Sequence, residues 1–202
     1  MTAQSHWDDV YRTKSSHSVS WFQADPRPSL DAIERLGLSA DSAFIDVGGG
    51  ASTLVDDLLH RGWTDLSVLD IAAPALEVGK ARLAEAAERV HWLVEDIVEW
   101  TPRRSYDVWH DRAVFHFLTT EFQRSQYIRA LDASLASGGH LIIATFAPNG
   151  PERCSGLPVQ RYDAQALSDA FGRRLRLQDT WLETHLTPAG NAQAFTWCIF
   201  SL

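Results

Sequence analysis

The 202-residue chain has only two cysteines, Cys154 and Cys198, and one methionine. Two cysteines far apart form neither a disulfide framework nor a metal-ligand pair, and two reduced thiols are the expectation. No apolar run approaches the ~20 residues that a membrane span requires. The start, MTAQSHWDDVYRTK, has no apolar segment behind a basic one, which argues against a signal peptide. Its acids argue against a transit peptide, so a cytoplasmic protein is expected. Positive charge is also scarce: 18 Lys and Arg against 26 Asp and Glu leave a net charge of -8. Nucleic acid and anionic membranes both select for clustered positive charge, so neither is an expected partner. The chain lacks G-x-x-x-x-G-K-[ST], which excludes a P-loop, and lacks G-x-G-x-x-G, which disfavours a dinucleotide site.

What is present is alternation. FIDV (44–47), LSVLDI (66–71), VHWLVE (90–95), YDVWHD (106–111) and HLIIATF (140–146) are short and apolar, as buried parallel strands are. Helix-like segments lie between them at 52–61, 74–88 and 120–137, and another follows at about 163–171. Gly138–Gly139 is expected to end the third of these, and Phe122, Tyr127, Leu131 and Leu135 to share its buried face. RLRLQDTWLETHL and NAQAFTWCIFSL, joined by TPAGN, read as a terminal antiparallel hairpin. The pattern is an α/β domain: a parallel sheet with helices on both faces and a hairpin added. Residues 1–40 carry two short helix-like pieces, near 5–13 and 28–37, around an irregular SVSWF; residues 41–202 form the core of the same single domain.

In such sheets ligands bind at the carboxyl ends of the strands. Gly48, Gly49 and Gly50 follow the first strand and allow a tight turn with close backbone approach. Asp70 closes the second strand, 20 positions after Gly50, where a carboxylate can accept from ribose hydroxyls. Asp96 and Ile97 follow the third strand and can face an adenine. Asp46, just before the glycines, repels phosphate but suits a cationic amino-acid group.

The stretch DVGGGAS, followed by VLD and then EDI, resembles the class I S-adenosylmethionine-dependent methyltransferases. The likeness runs from about residue 40 to the end. It implies a Rossmann-like seven-stranded sheet of order 3-2-1-4-5-7-6, with strand 7 antiparallel. It also implies that S-adenosyl-L-methionine is the cofactor, held by Asp46, Gly48, Gly49, Gly50, Asp70, Ile71, Asp96 and Ile97. Ser52 stands where the family has its third glycine. At the fourth strand end, YDVWHDRAVFHFLT resembles the segment reading roughly D-K-G-T-F-D in elongation-factor lysine methyltransferases.

Methyl transfer needs an aligned nucleophile, exclusion of water and, for hydroxyl or protonated amine acceptors, a base. His110 and His116 are the candidate bases. Asp111 either orients one of them or contacts the cofactor. A metal held by these three residues is not expected, because nothing completes a ligand set. Trp7, Tyr11, Trp21 and Phe22 are candidate lid and acceptor-site residues, joined by Phe115 and by Arg153 for an anionic group. A small-molecule acceptor is preferred, and a protein lysine is the second choice. A nicotinamide-dependent oxidoreductase and a non-catalytic cofactor-binding module are the rivals of other classes.

Overall fold

The computed structural model describes residues 2–202. Its seven-stranded sheet takes β1 Phe44–Val47, β2 Leu66–Asp70, β3 Val90–Val94, β4 Tyr106–Arg112 and β5 Leu135–Phe146. A short hairpin, β6 Arg153–Cys154 and β7 Leu157–Pro158, stands apart, and β8 Arg176–Leu186 and β9 Ala192–Ser201 complete the sheet. The order is β3-β2-β1-β4-β5-β9-β8. The first five strands are parallel, while β9 runs antiparallel to β5 and β8. With β8 and β9 as the family's sixth and seventh strands, this is the expected topology.

Helices α1 Ala3–Thr13, α2 Arg27–Glu34, α3 Leu54–His60, α4 Ala73–Leu83, α5 Glu121–Ser134 and α6 Ala164–Phe171 surround the sheet. Local chemistry sets their ends. Thr120 and Gln123 form a reciprocal capping box at the start of α5, and Asp163 caps α6 through the Ala166 N–H. The expected helix over 74–88 is interrupted: α4 ends at Ala84, which has φ 50°, and a 3-10 turn continues to Arg89. Helix α5 also stops early. Leu135 is already strand, paired with Tyr106 across a bulge, so Gly138–Gly139 lies inside β5 instead of ending a helix. Phe122 is 66% exposed and does not share the buried face of Tyr127 and Leu131.

Two apolar layers sandwich the sheet. One packs Leu30, Ile33, Leu54, Leu58 and Trp63 onto Phe44, Val108, Ile142 and Trp197. The other packs Tyr127, Leu131, Leu167 and Phe171 onto Ile45, Trp109, Ile143 and Phe200. Strand alternation divides β4 between them: Val108 belongs to the first layer and Trp109 to the second. In the second layer the Trp109 Nε1–H donates to the Tyr127 hydroxyl (2.8 Å), and that hydroxyl donates to Asp111 Oδ2 (2.7 Å). Replacing Tyr127 by Phe leaves both partners buried without it. We expect Tyr127→Phe to lower stability by about 1–3 kcal/mol in urea unfolding; an unchanged midpoint would show that the relay carries no weight.

Candidate functional site

The carboxyl ends of β1, β2 and β4, with the turn after β3, open into a cavity of about 370 Å³. Its floor includes Val47, Gly48, Leu69, Asp70 and Ile71, with Asp96, Ile97 and Val98 to one side. Its other walls bring together Trp7, Tyr11, Trp21, Arg112, Phe117, Cys154 and Leu157. A smaller recess of about 60 Å³ lies next to it, lined by Phe22, Ser29, Asp46, Gly48, Gly49, Ser52 and His110. Tyr11, Trp21, Gly48 and Arg112 line both spaces.

The glycine loop is shaped for close approach. Gly48 has φ 72°, and a Cβ there would stand 2.0 Å from Val114 Cγ2. Gly50 has φ 36°, and a Cβ there would stand 2.6 Å from Asp70 Oδ2. Only a residue without a side chain tolerates both constraints. Asp70 is 7% exposed, and its Oδ1 accepts from the Ala72 N–H at 2.8 Å. Burial, and to a lesser extent the neighbouring Asp46, pushes its carboxyl up to about 7, against the hydrogen bond from Ala72. Asp96 accepts from the Val98 N–H at 3.0 Å, which fixes the turn that presents Ile97.

The N-terminal segment forms the roof. Trp7 packs edge-on against Trp21 (5.5 Å between ring centroids) and Phe117 (5.0 Å), and the Trp21 Nε1–H donates to the Tyr11 hydroxyl. Farther along, the segment is tied to β8. Gln23 donates to Glu183, His185 Nε2 lies 2.8 Å from the Ser20 carbonyl, and Arg35 pairs with Asp179 at 2.5 Å.

The expected bases and several acceptor contacts need correction. His110 is 2% exposed, with Nδ1 2.7 Å from Asp46 Oδ1 and Nε2 3.0 Å from Ser29 Oγ. Both nitrogens are engaged by protein side chains, so His110 orients Asp46 and presents neither nitrogen to an acceptor. His116 does not line either space. It is fully buried between Phe117 and Phe146 and accepts from the Phe146 N–H at 3.3 Å. Burial, reinforced by Arg112, holds its pKa down to about 3, which makes it a poor base. Asp111 is fully buried as well, with Oδ1 accepting from Val114 N–H, and Oδ2 from Phe115 N–H and Tyr127. It caps the turn after β4 and touches neither space. Phe115 packs on Tyr127, Tyr162 and Phe171 in the core. Arg153 is exposed and donates to the Gly156 carbonyl within its own hairpin. Among the described residues no group of three acids, histidines or cysteines is placed to hold a metal.

Cys154 also lines the cavity, as do Arg112 and His6, to which the sequence assigned no role. Arg112 ends β4 two residues after His110, so the period of a strand puts both side chains on one face and Asp111 on the other. That spacing is visible in HDR and was the available signal. Cys154 reaches the cavity because the β6–β7 hairpin folds over it, and burial pushes its thiol up to about 11. His6 also lines the cavity, with a buried Nε2 that has no protein partner.

Residues 45–141 match the family model described as a methyltransferase domain. The match covers just under half of the chain, which over that span is similar to methyltransferase domains. Its relatives are distant. EEF1A lysine methyltransferase 2 of Danio rerio is 24% identical over 69% of this chain, and the match spans 66% of that protein, just under two thirds. The protein solved in work on the conversion of a disulfide bond into a thioacetal group during echinomycin biosynthesis is 20% identical, with a TM-score of 0.78 over 98% of this chain and 92% of that one. The 1,6-didemethyltoxoflavin-N1-methyltransferase of Burkholderia thailandensis, with bound 1,6-didemethyltoxoflavin and S-adenosylhomocysteine, is 15% identical. Its TM-score is 0.74, over 98% of this chain and 86% of that one. These structures share the fold of this chain.

The buried histidine makes a measurable contribution to acid sensitivity. A His whose pKa is held near 3 when folded, against about 6.5 unfolded, stabilises the fold fully above pH 6.5 and loses that contribution as pH falls towards 3. We expect His116→Leu to flatten the acid limb of stability by on the order of 1 kcal/mol per pH unit within that window. Parallel acid unfolding curves for the two proteins would contradict the assignment.

Proposed function

We propose that the protein transfers a methyl group from S-adenosyl-L-methionine to a nitrogen, oxygen or sulfur atom of a small molecule. The observation that carries this reading is a single cavity with two kinds of wall: strand-end acids on one side, aromatic rings of the chain's own N-terminal segment on the other. The residues fit the cofactor. Gly48 brings bare backbone to both spaces, and Asp70 is a buried acid packed against Gly50, with Ile71, Asp96 and Ile97 beside it. Asp70 would accept from the two ribose hydroxyls, and Asp96 and Ile97 would flank the adenine. Asp46, held by His110, would face the ammonium of the amino-acid end.

S-adenosylmethionine supplies a methyl group already activated on a sulfonium. The chain then has to position the acceptor and keep water out. Trp7, Trp21 and Phe117 give an apolar, aromatic wall suited to a cationic centre and a flat acceptor. His110, His116 and Asp111 are each held by protein partners away from the acceptor, and His6, whose Nε2 has no protein partner, is the imidazole left on the cavity wall.

A second reading, methylation of a protein lysine, is favoured by the distant likeness to EEF1A lysine methyltransferase 2. The rival oxidoreductase reading makes a different binding prediction. S-adenosylhomocysteine should raise the melting temperature and NAD should not, because a ligand stabilises the state that binds it. The reverse result would sink the proposal. Small-molecule and peptide acceptors separate the two methyltransferase readings in a radiolabel transfer assay.

The acid at β2 gives a pH test. A ribose donates to an ionised carboxylate, and Asp70 in the ligand-free protein titrates at about 7. Binding therefore requires loss of a proton below that pH. We expect S-adenosylhomocysteine affinity to fall by up to about tenfold per pH unit below 7. Asp70→Asn should weaken binding at pH 8 and remove this pH dependence. A wild-type affinity that is flat from pH 8 to 5.5 would refute the ribose role.

A further inference from the structure

Arg112 is the last residue of β4, and its side chain lines both the large cavity and the small recess. Its guanidinium is held on one side only. Nη1 donates to the Trp21 carbonyl at 3.1 Å, and the guanidinium carbon sits 4.8 Å from the Phe195 ring centroid. Nε and Nη2 are buried and have no protein partner. The two acids that act on it across space are engaged elsewhere. Asp46 is taken by His110, and Glu183 by Gln23 Nε2 and the Trp197 Nε1–H. Nε and Nη2 form one edge of the guanidinium fork, whose spacing matches the two oxygens of a carboxylate.

We propose that Arg112 is the anion receptor of the reaction chamber, taking a carboxylate on its Nε–Nη2 edge; this rests on the methyltransferase reading. Two ligands of that reading can bring the carboxylate: the amino-acid end of the cofactor, opposite Asp46 in the small recess, or the methyl acceptor in the aromatic cavity. In either case Arg112 supplies charge and orientation to the group that lies against the roof formed by Trp21. The thiol of Cys154 and the ring of Tyr11 complete the surroundings on the cavity side.

The test compares wild type with Arg112→Met and Arg112→Lys by calorimetry, with circular dichroism as the check on folding. Three probes are titrated: S-adenosylhomocysteine, 5′-methylthioadenosine (the same adenosyl thioether without the amino-acid end), and benzoate added to protein saturated with S-adenosylhomocysteine. If the carboxylate is the cofactor's, Arg112→Met loses at least tenfold in S-adenosylhomocysteine affinity while 5′-methylthioadenosine binds as before. If it is the acceptor's, both adenosyl ligands bind as before and benzoate binding is lost. Arg112→Lys retains part of either affinity, and it carries the test should the Met variant not fold. The proposal is overturned if S-adenosylhomocysteine affinity is unchanged and no benzoate binding depends on Arg112. It is equally overturned if 5′-methylthioadenosine falls in parallel, which would mark a structural role alone. Failure of the wild type to bind either adenosyl ligand would instead remove the methyltransferase reading beneath it.

Discussion

The carboxylate of Asp111 holds the close of β4, and the site depends on that turn. Its two oxygens collect the Val114 and Phe115 N–H groups and the Tyr127 hydroxyl. Between strand and turn, Ala113 adopts φ 76°, a conformation that costs an L-residue about 1–2 kcal/mol. The cost is met by those charge-assisted bonds and by the Ala113 N–H, which still reaches the Ala144 carbonyl. Once the turn is fixed, Val114 presses against Gly48 and Arg112 is left at the chamber wall. Burial raises the Asp111 carboxyl to about 6, so the anchor is an acid kept in a setting that resists its charge. Strain and an unfavourable charge therefore coincide beside the site, where a rigid backbone is most useful.

Polar groups on the two faces of β4 have different occupations. On one face Asp111 serves the fold through Tyr127 and Trp109. On the other, His110 stiffens Asp46, and Arg112 reaches into the chamber. A side chain with both ends engaged, such as His110, fixes its neighbour's geometry. One with an unpartnered edge, such as Arg112, leaves hydrogen-bonding capacity unused. Each buried N–H without a partner costs about 1–3 kcal/mol, which is a strong incentive to acquire one.

Much of this was legible in the chain. Short apolar runs marked the parallel strands, and TPAGN marked the final hairpin, because period and turn chemistry are local properties. Their order in the sheet came from the family likeness and not from the periodicity. The ends of α4 and α5 were less legible: Leu135 leaves the helix by pairing with Tyr106, and Ala84 takes φ 50°, and no cap residue announces either. Histidines were over-read for the same reason. HDR and FHF display titratable side chains, but whether a ring points into a cavity or between phenylalanines depends on the turn at Ala113. The alternation along β4 did carry the answer for Arg112, since residues 110 and 112 must share a face.

The aromatic roof also has an optical consequence. The chain has eight tryptophans, and among the described residues only Trp7 and Trp21 line the chamber. They sit edge to face in the segment joined to the rest of the fold at Ser20 and Gln23. A ligand entering beneath them would change the polarity around both indoles at once. The protein thus carries its own fluorophores at the mouth of the cavity, where emission would report occupancy without any added label.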